Sequence, residues 1–129
     1  MSMKIDGGLG AAFPTSLEGG FQPIIDSAKQ LEAKGYSGAW TAETSHDPFF
    51  PHMIAAEHTE KIELGTSIAV AFARNPMILA NIGYDLQNYS KGRFILGLGT
   101  QIKPHSTKRL SMEWSKPAAR MREMVAAIK

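Results

Sequence analysis

Residues 75–99 read NPMILANIGYDLQNYSKGRFILGLG, and this stretch predicts a helix followed by a buried strand. Asn75 before Pro76 is typical of a helix start, because the asparagine side chain accepts a bond from a free N–H group and proline has no N–H to satisfy. Gly92 is a stop signal, and residues 93–98 are nearly all apolar. The apolar residues that recur at helical spacing, and that we expect on the buried face, are Ile78, Ile82, Leu86 and Tyr89.

The same alternation of strand and helix continues from this stretch towards the N-terminus. Residues 62–70 predict a strand just before this helix, and residues 38–43 predict a buried strand that delivers Glu43 at its carboxyl end. The runs are continuously apolar, which favours parallel strands covered on both faces. The remaining predicted elements are a strand at 4–9, a loop at 13–20, helices at 22–34 and from Asp47-Pro48 to 59, a loop at 100–115 and a helix at 117–129.

Four strands and four helices therefore alternate along a single domain of residues 1–129, which is an α/β fold. Two architectures fit this order: a small, open, doubly wound sheet, or a (βα)4 half of an eight-stranded TIM barrel. A complete barrel typically needs ~250 residues, and the chain has 129. Open sheet edges favour self-association, so we expect a homo-oligomer.

Composition narrows the class of partner. The net charge is only +2, so no nucleic-acid partner is expected, and the absence of cysteine excludes disulfides and thiolate chemistry. No apolar run is long enough for a membrane span and no signal peptide is evident, so we expect a cytoplasmic protein. His46, His52 and His58 do not match a zinc-ligand pattern, and no metal is expected.

The loop after the second strand carries the densest group of reactive side chains. Glu43 and His46 combine a carboxylate with an imidazole, which suits proton transfer near neutral pH. Alternatives stay open: Asp47 caps the next helix, His46 is a solvated loop residue, and Glu43 forms an ion pair with a nearby Lys or Arg.

The segment after the fourth strand is a second candidate for binding. Gly97 and Gly99 allow close approach of a ring or phosphate, although a tight turn explains them equally, and the third glycine of a dinucleotide fingerprint is missing. The following loop is basic. Its cations either bind an anionic cofactor tail or form a solvated surface, and they are Lys103, His105, Lys108 and Arg109.

Three stretches resemble the luciferase-like monooxygenase superfamily, especially its branch dependent on the deazaflavin coenzyme F420. They are residues 34–43, residues 63–70 followed by Arg74-Asn75-Pro76, and residues 86–99. The resemblance covers nearly the whole chain and corresponds to the first half of that family's barrel.

The resemblance implies a site at the carboxyl ends of the strands, where coenzyme F420 or, alternatively, FMN exchanges a hydride with a small-molecule substrate. It places Glu43 and Thr44 beside the ring, and it implies a non-proline cis peptide at Ser67-Ile68 that backs the ring. The residues that it assigns to cofactor binding are Glu43, Thr44, Ser67, Ile68, Ala69, Gly99, Thr100 and Gln101.

We therefore predict an oxidoreductase with Glu43 as the leading proton-handling group and His46 as its assistant. Relatives often carry Asp-His where this chain has Glu43-Thr44. The family's later strands, which supply much of the phosphate grip, have no counterpart in these 129 residues. Two alternatives remain: a noncatalytic truncated half-barrel or assembly subunit, and a Rossmann-like nucleotide binder.

Overall fold

The computed structural model describes residues 3–9 and 20–129, so the predicted loop at 13–20 lies outside the described residues apart from Gly20. Parallel strands packed against helices confirm the α/β class and the half-barrel. The helices are α1 (Gln22–Ala33), α2 (Phe50–His58), α3 (Pro76–Tyr89) and α4 (Pro117–Ile128). The strands are β1 (Asp6–Gly8), β2 (Gly38–Thr41), β3 (Glu63–Thr66), β4 (Ala69–Val70), β5 (Phe94–Ile95) and β6 (Leu98–Gly99).

Four of these strands form one parallel sheet in the order β1-β2-β3-β5. One row of its register runs from Gly8 through Trp40 and Gly65 to Ile95. Because side chains alternate across a strand, this row shares one face, and the neighbouring row of Gly7, Ala39, Leu64 and Phe94 shares the other. The second face packs against the helices, since Leu64 and Phe94 belong to the buried core. The first face is the inner one, and Ile95 on it is exposed.

Two predicted strands are each split in two. Residues 62–70 form β3 and β4, separated at Ser67-Ile68, and residues 93–98 and Gly99 form β5 and β6, which pair with β3 and β4 respectively. Where the two strands are split, hydrogen bonds from a side chain replace the main-chain hydrogen bonds between them. The Thr66 hydroxyl donates to the Gly97 carbonyl at 2.8 Å and accepts from the Gly97 N–H at 3.0 Å.

Helix α3 begins as predicted. The Asn75 side chain accepts a hydrogen bond from the Met77 N–H at 2.8 Å, which is an N-cap. Its buried face is displaced from the predicted one, because Ile78 and Tyr89 are exposed. Apolar side chains surround more than half of this helix, so spacing alone does not select the contact face. The residues that pack inward are Leu79, Ile82 and Leu86.

Asp47 does not provide the side-chain cap considered for it, because it lies two residues before Phe49, which is the N-cap of α2 and has no side-chain cap bond. The Asp47 Oδ1 accepts from the Phe49 N–H at 2.8 Å, and α2 then begins at Phe50 rather than at Pro48. The ends of the other helices lie within one residue of the predictions. No helix in the described part of the chain is long and apolar enough to span a membrane.

Candidate active site

The carboxyl ends of β2, β3 and β5 meet at one edge of the sheet, where main-chain bonds tie their following segments together. The Ser67 N–H donates to the Thr41 carbonyl at 2.6 Å, and the Ala69 N–H donates to the Gly97 carbonyl at 2.9 Å. The Ser67-Ile68 peptide is cis, as predicted. The segment 67–70 is therefore held between the loop that follows β2 and the strand β6.

Glu43 is bonded to this segment through both its backbone and its side chain. Its N–H donates to the Ile68 carbonyl at 3.1 Å, and its Oε2 accepts from the Val70 N–H at 2.6 Å. The same Oε2 lies 2.7 Å from Nη1 of Arg74, and the side chain is 11% exposed. The ion pair that was weighed as the alternative for Glu43 is thus present.

Arg74 connects the two carboxylates of the loop after β2. Its Nη2 lies 3.2 Å from Oδ2 of Asp47, and its guanidinium stacks over the Phe49 ring at 5.3 Å. Burial alone favours the neutral form, but hydrogen bonds and charges from Glu43 and Asp47 outweigh it and raise the pKa of Arg74 above its usual value. Arg74 is therefore a fixed cation at the edge of the site.

Thr44 and His46 lie on the same loop, and both are half-buried. They follow Glu43 at the carboxyl end of β2, which is the location that the sequence predicted for them. The assignment of proton transfer to Glu43 and His46 stays a prediction, since position alone does not establish a chemical role.

The predicted binding segment at residues 99–101 lies beside the segment 67–70. Gly99 pairs with Val70 across β4 and β6, and a Cβ at Gly99 would overlap the Ile68 side chain, so only glycine fits without a shift. Beyond it, Gln101 adopts a positive φ of 60°, and its side chain lies 3.3 Å from the His105 ring. The predicted loop at 100–115 contains one helical turn, His105–Arg109.

An open depression of about 490 Å³ lies on the inner face of the sheet. It is lined by Asp6, Gly7, Gly8, Trp40 and Ser67. This volume is within the ~300–1,000 Å³ typical of small-molecule sites, and a Cβ at Gly8 would meet no atom within 4 Å. Ser67 links this open depression to the segment that Glu43 holds.

Two residues of this region were missed by sequence reasoning. Arg74 was noted only as part of a motif, and its carboxylate partners Glu43 and Asp47 lie 31 and 27 residues away, where no local pattern indicates them. Trp40 was noted only as part of an apolar run, but its ring covers Gly38 and Gly65. The pairing of Trp40 with a glycine on β3 is visible only once the register is known.

No group of three or more potential metal ligands occurs among residues 3–9 and 20–129.

Comparison with known proteins places these observations in a family. A profile described as luciferase-like monooxygenase matches residues 7–129. An uncharacterized protein of Mycobacterium tuberculosis is 68% identical over 104 residues, covering 81% of this chain and 31% of that protein. A putative coenzyme F420-dependent oxidoreductase of the same species is 31% identical over 114 residues, covering 85% of this chain and 33% of that protein.

Solved structures share the fold. Monooxygenase RslO1 from Streptomyces bottropensis superposes with a TM-score of 0.85 at 24% identity, over 98% of this chain and 42% of that one. The oxygenating constituent of 3,6-diketocamphane monooxygenase from Pseudomonas putida, solved with FMN, gives 0.83 at 19% identity, over 98% and 39%. The chain thus spans about a third of the length of the curated relatives that it matches.

Proposed function

Because the chain belongs to the luciferase-like monooxygenase family, we propose that it supplies the first half of a flavin- or deazaflavin-dependent oxidoreductase site. The observation that carries the proposal is the convergence of Glu43, the segment 67–70 and Gly99 at the carboxyl ends of parallel strands. In barrels of this type, ligands bind at that end.

The ring would lie on the inner face over Trp40 and Ser67, with Ile68 and Ala69 behind it and Gly99, Thr100 and Gln101 at its margin. Apolar and main-chain groups there orient a planar ring and exclude water from one of its faces. When bound, the ring supplies hydride transfer to or from a small-molecule substrate. His46 and Glu43, with Thr44 between them, are the candidates for managing the accompanying proton.

Both cofactor types are plausible for this chain. A relative 31% identical is named as F420-dependent, and a structural neighbour was solved with FMN. We propose F420 first, because a relative at 31% sequence identity is stronger support for a cofactor than a shared fold at 19% identity. The anionic tail of either cofactor would meet the exposed cations Lys103, Lys108 and Arg109.

A titration of the purified chain with F420 and, separately, with FMN tests this proposal. Binding is expected to shift the visible absorbance and quench the fluorescence of the ring, with F420 bound more tightly. Gly8→Leu fills the depression and is expected to weaken binding by at least about tenfold. Ala127→Leu, at an exposed position on α4, is the matched control and should bind like the parent chain.

The second candidate is a noncatalytic half-barrel that acts as an assembly subunit. The exposed inner face favours it, because Ile95, on the edge strand β5, is 42% exposed on a face that a complete barrel would enclose. Absence of binding to either ring, in a chain shown to be folded by circular dichroism, would contradict the enzyme proposal and support this one.

A further inference from the structure

The bonds of Glu43 point to a second role beside proton transfer. Its Oε2 accepts from two donors at once, the Val70 N–H at 2.6 Å and Nη1 of Arg74 at 2.7 Å. A general base must present a lone pair to the substrate, and a general acid must carry a proton. Oε2 is therefore committed to the main-chain donor and the guanidinium, and only Oε1 is left for either task.

The same residue also holds the opposite side of the segment. Its N–H donates to the Ile68 carbonyl at 3.1 Å, so Glu43 brackets Ala69 with one bond to the residue before it and one to the residue after it. Arg74 adds a bond from Nη1 to the Val70 carbonyl at 3.1 Å. The main chain at residues 68–70 is therefore fixed by a carboxylate from the loop after β2 and by a cation that lies just before α3.

Charge keeps this arrangement together. Glu43 and Arg74 are only 11% and 17% exposed, which weakens screening by water and strengthens the charge-assisted bonds. Asp47 holds the other end of the guanidinium at 3.2 Å, and the Phe49 ring lies beneath it. Arg74 is thus anchored independently of Glu43 and presents a preset donor to it.

We infer that Glu43 and Arg74 are positioning residues, which fix the main chain at Ile68–Val70 against which the ring of the proposed function lies. The inference rests on that proposed function for its purpose. The bonds from Glu43 and Arg74 to residues 68–70, which we call the clamp, are a property of the chain without any ligand. It assigns to Glu43 an action through the backbone, which holds whether Glu43 or His46 manages the proton.

The first arm of the test is free of ligand. Hydrogen exchange at the Val70 amide, followed by NMR, is expected to accelerate by at least about tenfold in Glu43→Ala. Glu43→Gln keeps an acceptor for Val70 and should accelerate it less. Glu63→Gln is the matched control, since Glu63 is also ion-paired, to Lys4 at 3.2 Å, but lies at the opposite end of the strand. Unchanged exchange at Val70 in Glu43→Ala would overturn the clamp.

The second arm measures ring affinity by fluorescence. Glu43→Ala and Arg74→Gln are each expected to raise the dissociation constant about tenfold, and the double variant no further, because both remove one coupled unit. Arg74→Lys should recover part of the loss. Additive losses, or an affinity for Glu43→Ala equal to the parent, would overturn the positioning role. If the parent chain binds no ring, the proposed function fails while the first arm still decides the clamp.

Discussion

His52 shows how one buried residue can dominate the response of this chain to pH. Its ring is fully buried, with Nε2 2.8 Å from Oγ1 of Thr41, and Thr41 in turn donates to the Pro48 carbonyl at 2.8 Å. The Phe94 ring packs edge-on against it at 5.4 Å. Burial lowers the pKa of His52 to about 4, and the backbone of Gly65 opposes this shift by less.

A histidine that stays neutral when folded but charges near pH 6.5 when unfolded makes stability depend on pH. The unfolded chain binds the extra proton between about pH 6.5 and 4, so the contribution is fully present above that range and is lost as the pH falls through it. We expect a decrease in the free energy of unfolding of about 3 kcal/mol across this window. Urea denaturation at a series of pH values measures it.

His52→Gln removes the titrating group while keeping a donor near Thr41, so its stability should vary much less between pH 6.5 and 4. The exposed His105 supplies the control, because His105→Gln should leave the parent's pH dependence in place. A parent chain whose stability is flat over this range would show that His52 is not the neutral group described above.

At the scale of elements, the chain relies on a few polar side chains to join helix ends to strands. Glu32, on α1, accepts main-chain N–H bonds from Glu60, Lys61 and Ile62 in the turn before β3. Arg93, just before β5, donates to the carbonyls at the end of α2 and to Ile62. Both lie at the amino ends of the strands, opposite the candidate site, where a barrel carries stability rather than chemistry.

Replacing Arg93 with lysine tests whether the amino ends of the strands contribute to stability. The guanidinium of Arg93 donates to Ser90, Ala56, Thr59 and Ile62, and a lysine has only three donors from a single point. Arg93→Lys is expected to lower the free energy of unfolding by about 2–4 kcal/mol, because buried carbonyls lose their partners. Arg122→Lys on the exposed side of α4 should change it by less than about 0.5 kcal/mol. Equal losses of unfolding free energy in Arg93→Lys and Arg122→Lys would contradict the stabilising role of Arg93.

The inner face of the sheet offers a second prediction at this scale. The Trp40 ring covers Gly65 in the adjacent strand, so a Cβ at that position needs space that the indole occupies. Gly65→Ala is expected to cost about 1–3 kcal/mol and to change the tryptophan emission, because the ring must move. Gly8→Ala, in the same row with open space in front of it, is the control and should alter neither quantity. An unperturbed emission in Gly65→Ala would disprove this packing.

For the whole molecule, the described strands form an open surface. Within residues 3–9 and 20–129, β1 pairs only with β2 and β5 pairs only with β3, so both edges of the larger sheet carry unpaired main-chain groups. The inner face adds exposed apolar area at Ile95. Such edges and faces favour association with another chain.

We therefore predict self-association of the purified chain at micromolar concentration, detected by sedimentation velocity. Ile95→Lys places a charge on the inner face and is expected to raise the dissociation constant by at least about tenfold. Ile78→Lys is the control, because Ile78 is exposed on the outer side of α3 and the lysine adds the same charge to the helical surface instead of the inner face. A monomeric parent chain, or equal effects of both variants, would contradict assembly through the inner face.

The resemblance of longer stretches indicated the family, and the amino-acid sequence alone was enough to predict the α/β class, the alternation of strands and helices and the Asn75-Pro76 helix start. These features depend on local rules, since capping and apolar runs act within a few residues of each other. The three-dimensional packing was needed to show that Glu43 meets Arg74, that Trp40 covers Gly65, and that α3 turns Leu79 rather than Ile78 inward. Each of these depends on strand register or helix rotation, which are fixed by packing between segments that lie far apart in the chain.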